Sequence, residues 1–202
     1  MQTDYKVFSE KLFKSLAYHT LKMKLTKETW NEQYDQGKWD YVDNTSESCR
    51  ASIIGFYCNR FHNSPDILDV GCGKSVVRNY IKFKTYIGLD ISETATKHLK
   101  NQNIEIINTD AEKFTTEKKF DIIIFGEILY YVNNKILEQY QDYLNEDGYF
   151  IISLWDHPKT RELWISINEQ YECVDSIELK NHKTNNKWLI GIFKTKEIKD
   201  KK

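Results

Sequence analysis

The chain is poor in proline and cysteine, has no long apolar run, and carries no excess of either charge. Its four cysteines, Cys49, Cys58, Cys72 and Cys173, include no Cys-x-x-Cys pair. No histidine stands at zinc-ligand spacing from two of them, which excludes a structural zinc site and a disulfide framework. Reduced, buried thiols of this kind suit a cytoplasmic protein. No stretch approaches the ~18 consecutive apolar residues of a membrane span, so no membrane partner is expected. The N-terminal MQTDYKVFSEKLFKSL is charged throughout and has no apolar core, unlike a secretory signal. The formal net charge of −1 supplies no positive field, so neither nucleic acid nor anionic lipid is the expected partner.

The length of 202 residues accommodates one α/β domain with a modest N-terminal addition. Hydrophobic residues at 40% and charged residues at 29% place the chain among soluble globular proteins. Its 13 Tyr and 5 Trp are more than one small core can hold, so several are expected to line a surface or a cleft.

The two prolines, Pro65 and Pro158, act as punctuation. Pro65 precedes a strand-like run, and Pro158 suits the first turn of a helix. Before Pro65, Tyr5 to Leu25 has the apolar period of a helix, with Val7, Leu12, Leu16 and Leu21 on one face. TWNEQYDQGKWDYVDNTSES reads as a loop or lid. A second helix is expected over Glu47–Arg60, capped near Thr45 or Ser46. After Pro65, strands are expected at Ile67–Gly71, Tyr86–Asp90, Ile104–Asp110, Phe120–Glu127 and Tyr149–Trp155. Helices are expected to begin near Ser75, Glu93, Glu112 and Asn133. Continuous apolar strands alternating with helices imply a parallel sheet covered on both faces. Two last strands, Glu172–Leu179 and Lys187–Lys194, flank the polar connector KNHKTNN and suggest an antiparallel hairpin at the sheet edge. The implied organisation is a helical cover and lid over residues 1–62, an α/β domain over 63–196 and a frayed tail at 197–202.

Residues Asp69 to Ser75 read DVGCGKS. The ending Gly73-Lys74-Ser75 resembles a triphosphate-binding loop, but that motif needs a glycine at the position of Leu68. A buried leucine cannot make the phosphate-cradling turn, so this reading fails. The alternative frame, D-x-G-x-G, succeeds: Gly71 and Gly73 follow a buried strand, and backbone without side chains approaches a ligand closely. About twenty residues on, Asp90 ends the second strand, where an acid accepts ribose hydroxyls. Asp110-Ala111 ends the third strand and Gly126-Glu127 the fourth. Ligands of open α/β sheets bind at such carboxyl ends.

On these motifs, residues Ile67 to Trp155 resemble a class I S-adenosylmethionine-dependent methyltransferase. The matching segments are DVGCG, GLDIS, NTDAE, FDIIIFGEILYYV and YLNEDGYFIISLW, in order and at the family's spacing. The resemblance implies an α/β Rossmann-like three-layer sandwich. Its sheet would be seven-stranded and mostly parallel, with an antiparallel terminal strand and a helical N-terminal extension. It implies S-adenosyl-L-methionine as cofactor, held by Asp69, Gly71, Cys72, Gly73, Asp90, Ile91, Asp110, Ala111 and Gly126. GEILYYV and, more faintly, WDYVDNTSE resemble the nodulation-type N-methyltransferases, which act on an amino sugar. Ser75 stands where the family often has a third glycine, and serine suits a helix N-cap. Val76 occupies the last position of G-x-G-x-x-G/A, where a β-branched residue obstructs the helix packing of a nicotinamide enzyme.

Methyl transfer is an in-line displacement that asks for alignment and, at most, the removal of one proton. Glu127 and His157, the latter with a pKa suited to a base near neutrality, are the candidate catalytic residues. Tyr34, Trp39, Glu127, Tyr130 and Tyr131 are candidates for binding a small polar acceptor, a sugar or amino sugar in the first instance. Trp30 and Tyr41 complete the aromatic set of the lid. Arg50 could reach the cofactor carboxylate, but an ordinary surface arginine is the preferred reading. His19, His62, His98 and His182 carry no expected role, and no metal site is expected. The rival readings are an RNA or protein methyltransferase, for which the Asn-Pro-Pro-type fourth motif is missing, and a noncatalytic cofactor-binding partner protein.

Overall fold

The computed structural model of the chain describes residues 25–99, 103–133 and 135–196. The helix expected up to Leu25 and the tail at 197–202 fall, Leu25 apart, outside the described residues.

Every expected strand is present. They are β1 (Asp66–Val70), β2 (Thr85–Asp90), β3 (Glu105–Asn108), β4 (Phe120–Gly126), β5 (Leu144–Trp155), β6 (Tyr171–Lys180) and β7 (Lys187–Thr195). They form one seven-stranded sheet in the order β3-β2-β1-β4-β5-β7-β6. The first five run parallel; β7 lies antiparallel between β5 and β6. Side chains alternate across this sheet as the two-residue period of a strand requires. Ile67, Tyr86, Ile122, Ile124, Ile151 and Ile190 pack on one face, against Ala51, Ile54 and Cys58. Leu68, Leu89, Ile123, Phe125, Phe150 and Ile152 pack on the other, against Leu137, Tyr140 and Ile167. Burial on both faces is why these strands read as unbroken apolar runs. Each such side chain contributes about 1.5–3 kcal/mol on leaving water.

The flanking helices are α1 (Lys27–Asp35), α2 (Thr45–Phe61), α3 (Glu93–Thr96), α4 (Ile136–Gln141) and α5 (Pro158–Gln170). α2 covers one face of the sheet, and α4 and α5 cover the other. α2 is thus a layer of the domain, and the cover among the described residues is the segment before it. Short 3-10 turns at Asp40–Asp43, Val76–Tyr80, Lys97–Leu99 and Ala111–Lys113 complete the connections.

Four local expectations are corrected. The supposed loop from Thr29 begins inside α1, which starts because Thr26 Oγ1 accepts from the Thr29 N–H at 3.3 Å. Ser75 is no helix cap: it sits in the left-handed region at φ 54° without a capping bond, and its hydroxyl bonds the Tyr86 hydroxyl at 2.8 Å. The chain after it makes only a 3-10 turn. β5 starts before the expected Tyr149: it begins at Leu144, which pairs with Phe120 before a register shift. β3 stops at Asn108, leaving Asp110 on the loop beyond it.

β1 lies between β2 and β4, and the chain leaves it in opposite directions on its two sides. The crevice outside the carboxyl ends of β1 and β4 is therefore the topological switch point, where open α/β sheets bind ligands.

Candidate active site

The glycine loop is shaped by its backbone. Gly71 and Gly73 adopt φ of 69° and 50°, a region that L side chains enter only under strain. A Cβ on Gly71 would collide with Ile128 Cδ1, and one on Gly73 would stand 2.8 Å from the Tyr34 hydroxyl. Between them, the Cys72 N–H donates to Leu89 O at 2.9 Å, fastening the loop to β2. Burial pushes the Cys72 thiol well above its ordinary range, so it is no thiolate nucleophile.

Asp90 ties the loop to the end of β2. Its Oδ2 accepts from the Gly73 N–H and its Oδ1 from the Ser92 N–H, each at 2.8 Å. A carboxylate has about four lone-pair positions, so each oxygen keeps acceptor capacity toward the cavity. Burial pushes the Asp90 carboxyl up to about 6 against those two bonds. Asp69, beneath the loop, is buried and accepts a hydrogen bond from the Tyr86 hydroxyl. Desolvation pushes it up to about 7; Asp90 adds to the rise, while the Tyr86 bond and Arg50 oppose it. Asp110 caps the turn after β3, its Oδ1 accepting from the Glu112 N–H at 3.0 Å.

Beyond the tip of β4, Glu127 is held with φ at 62°, a strained conformation for a residue with a side chain. Ser153 Oγ donates to its Oε1 at 2.6 Å, the Trp155 N–H donates to its Oε2 at 3.0 Å, and the Tyr130 hydroxyl donates to Oε2 as well. Three donors thus fix the Glu127 carboxyl in place. Burial raises its pKa, opposed by Arg50 and by these donors. Arg50 lies over the same strand tip: a Cβ on Gly126 would meet its Nη1 at 3.7 Å. Its side chain is 12% exposed, its Nε stands 3.7 Å from Glu47 Oε2, and that buried Nε has no hydrogen-bond partner. Desolvation works to discharge it, yet Glu127 and Glu47 keep its pKa raised. The expectation of a surface arginine is therefore wrong. Its i,i+3 spacing from Glu47 on one helix face was the signal available for the pair.

The aromatic cover closes the site from above. Trp30 meets Tyr131 edge-on with ring centroids 5.0 Å apart, and Trp39 packs 5.6 Å from Trp30 and 6.1 Å from Tyr34. Lys74, the residue that suggested a phosphate loop, pairs instead with Asp40 at 2.9 Å and Asp43 at 2.7 Å. It latches the loop to the cover.

These elements enclose a cavity of about 1360 Å³. Its wall brings together Asp69, Gly71, Cys72, Gly73, Asp90, Ile91, Asp110, Ala111, Gly126 and Glu127 with Tyr34, Trp39, Tyr130 and Tyr131. His157 is not on that wall. Its Nδ1 accepts from the Lys159 N–H at 3.4 Å as the N-cap of α5, and its ring stacks on Trp155 with centroids 5.4 Å apart. Sequence reasoning missed Glu47 and the β6–β7 turn, where Asn181, Lys183, Thr184 and Asn186 line the far wall. Polar turn residues carry no signal that separates a wall from a solvated loop. Among the described residues, no cluster of three or more His, Cys, Asp or Glu would hold a metal ion, and no helix is long and apolar enough to cross a membrane.

A family described as a methyltransferase domain matches residues 62–200. The chain is 29% identical over 143 residues to a human protein named arginine-hydroxylase NDUFAF5, mitochondrial; the match spans 67% of this chain and 41% of that protein. Among solved structures, it is similar to the N-methyltransferase NodS from Bradyrhizobium japonicum WM9, in complex with S-adenosyl-L-homocysteine. The TM-score there is 0.70 at 16% identity, over 83% of this chain and 98% of the other. It is also similar to the 1,6-didemethyltoxoflavin-N1-methyltransferase of Burkholderia thailandensis, with a TM-score of 0.66 at 15% identity, over 85% and 87% of the two chains. At these identities the structural likeness establishes the fold.

Proposed function

The chain belongs to the methyltransferase domain family, and from that premise we propose that it transfers the methyl group of S-adenosylmethionine to a nitrogen or oxygen atom of a small polar acceptor. The observation that carries this reading is the pairing of a glycine loop at positive φ, Gly71 and Gly73, with a half-buried Asp90 whose oxygens retain acceptor capacity.

The residues fit the cofactor. Gly71 and Gly73 would let its methionyl part lie against the backbone, and Asp90 would accept both ribose hydroxyls. Ile91 and Ala111 would face the adenine and Asp110 its edge. The unpartnered Nε of Arg50 suits the methionyl carboxylate, and Asp69 suits the ammonium end. When bound, S-adenosylmethionine supplies a methyl group on a cationic sulfur. Glu127, clamped by three donors, offers a fixed negative charge beside that position and needs no reorganisation. The aromatic cover excludes water and sets the approach of the acceptor.

The cavity exceeds the ~300–1,000 Å³ of an ordinary ligand pocket, which supports room for a second molecule. Its lining includes Asn181, Thr184 and Asn186 as well as the rings of Tyr41, Trp155 and Trp188. Hydrogen-bonding groups beside flat apolar faces favour a hydroxyl-bearing ring, so a sugar or amino sugar is the acceptor class we favour. The N-methyltransferase names of similar structures agree with a nitrogen acceptor. The hydroxylase name of the human relative makes oxygen insertion the second reading. A screen of labelled S-adenosylmethionine against nucleotide sugars, amines and RNA, with mass analysis of the product, separates these. The expected product is a small molecule heavier by one methylene. Gain of an oxygen atom, or label on RNA alone, overturns the proposal.

A further inference from the structure

One guanidinium faces two carboxylates where α2 meets the β6–β7 turn. Arg50 stands 3.7 Å from Glu47, whose side chain is 7% exposed, and it also answers to Glu127. One positive charge cannot neutralise both. Glu127 has three hydrogen-bond donors of its own. Glu47 has Arg50 at ion-pair distance and the Asn186 side chain, and desolvation together with the nearby Glu127 charge still raises its pKa against them. A buried carboxylate with an incomplete set of donors is costly. In the reading above, Arg50 is also turned to the cofactor's carboxylate, which leaves Glu47 still less well matched. Lys183, which lines the cavity from the turn, is exposed, as are Lys180 and Lys187 at the turn's base, where water screens them. This end of the cavity is therefore short of one positive charge and of N–H donors.

We propose that the acceptor is a small amine that docks as its ammonium ion, donating to the Glu47 carboxylate beside Asn186. An ammonium nitrogen has no lone pair, so one proton must leave before it can act as a nucleophile. The step balances as R–NH3+ giving its proton to the Glu47 carboxylate. The products are R–NH2 with a free lone pair and a neutral Glu47 carboxyl, which returns the proton to water. No electrons are exchanged with any other group. The proposal rests on the methyl-transfer reading and narrows it to nitrogen.

The test titrates the protein saturated with S-adenosylhomocysteine, as wild type, Glu47→Gln and Glu47→Asp, with benzylamine and glucosamine and with their hydroxyl counterparts benzyl alcohol and glucose. At least one amine is expected to bind wild type about tenfold more tightly than its counterpart. Glu47→Gln is expected to erase that preference, and Glu47→Asp, which keeps the charge, to retain part of it. No preference for either amine in wild type overturns the proposal. So does an equal preference in Glu47→Gln, or a Glu47→Gln defect that appears in S-adenosylhomocysteine affinity by the same factor, since Glu47 would then merely position Arg50. Failure of wild type to bind S-adenosylhomocysteine at all removes the methyl-transfer reading and this proposal with it.

Discussion

The strand tips that floor the cavity grow from a sheet in which Ile122, Ile123, Ile124 and Phe125 are wholly buried, whereas the cover above them is tied down largely at its wet rim. Lys27 pairs with Glu93 at 2.5 Å with side chains 41% and 58% exposed, and Lys97 pairs with Asp35 at 3.6 Å. Lys74 grips Asp40 and Asp43, and Asn31 Oδ1 accepts from Ser92 Oγ at 2.7 Å. The exposed ion pairs among these are worth roughly 0–1 kcal/mol each; Ser92, at the one neutral hydrogen bond, is buried. Apolar burial therefore fixes the floor before any ligand arrives, and the cover is the part that can open for entry and release.

The largest effect should follow from breaking the floor. Gly71→Val places a β-branched residue at φ 69° and against Ile128. It is expected to abolish S-adenosylhomocysteine binding in calorimetry and to lower stability by about 1–3 kcal/mol in a denaturant titration. Unaltered binding would show that the loop tolerates a side chain and that the backbone contact is not what the site uses.

A smaller effect concerns the charge buried in that floor. Desolvation holds Asp69 at about 7 and Asp90 at about 6, above the ~4 of an aspartate in the unfolded chain. Near pH 5 the folded chain keeps protons on these two groups that the unfolded chain has lost, so their contribution to stability is full below ~4 and is lost as pH rises through ~7. The ligand-free protein should thus be less stable at about pH 8 than at about pH 5, by on the order of a few kcal/mol, and Asp69→Asn should flatten the slope. A level profile in the wild type would mean that water reaches these carboxylates.

The smallest effect belongs to the cover. Lys74→Ala removes both ties to the 3-10 turn. It is expected to change the unfolding free energy by less than about 1 kcal/mol in a denaturant titration while quickening S-adenosylhomocysteine release in stopped-flow measurements. A large loss of stability with unchanged release would reverse the contrast between floor and cover.

The same contrast decides what was legible in the sequence. The floor was readable because each strand is buried on both faces and so writes an unbroken apolar run, and because Gly71, Gly73 and Asp90 recur at fixed spacing. The cover was misread as a loop because α1 is short and polar, and its start depends on one hydroxyl, that of Thr26. Ser75 fails as a cap because Tyr86, eleven residues away in the chain, claims its hydroxyl. That partner is a tertiary contact no local pattern carries. His157 drew attention by its place after β5. Yet the same sequence, His157-Pro158-Lys159-Thr160, builds a capping box that turns it to structural use. Arg50 was hidden because an i,i+3 Glu-Arg pair such as Glu47 and Arg50 looks the same on a solvated helix face until the fold shows what stands over it.

The central claim is that the carboxyl ends of β1, β2 and β4 grip an adenosyl thioether cofactor. Calorimetric titration of S-adenosylhomocysteine into the wild-type chain and into Asp90→Ala tests it most directly, with ATP as the comparison ligand. Saturable binding to wild type, at least about tenfold weaker in a folded Asp90→Ala protein and with no heat from ATP, is the expected result. Equal affinity in the two proteins, or binding of ATP in place of the thioether, would contradict it.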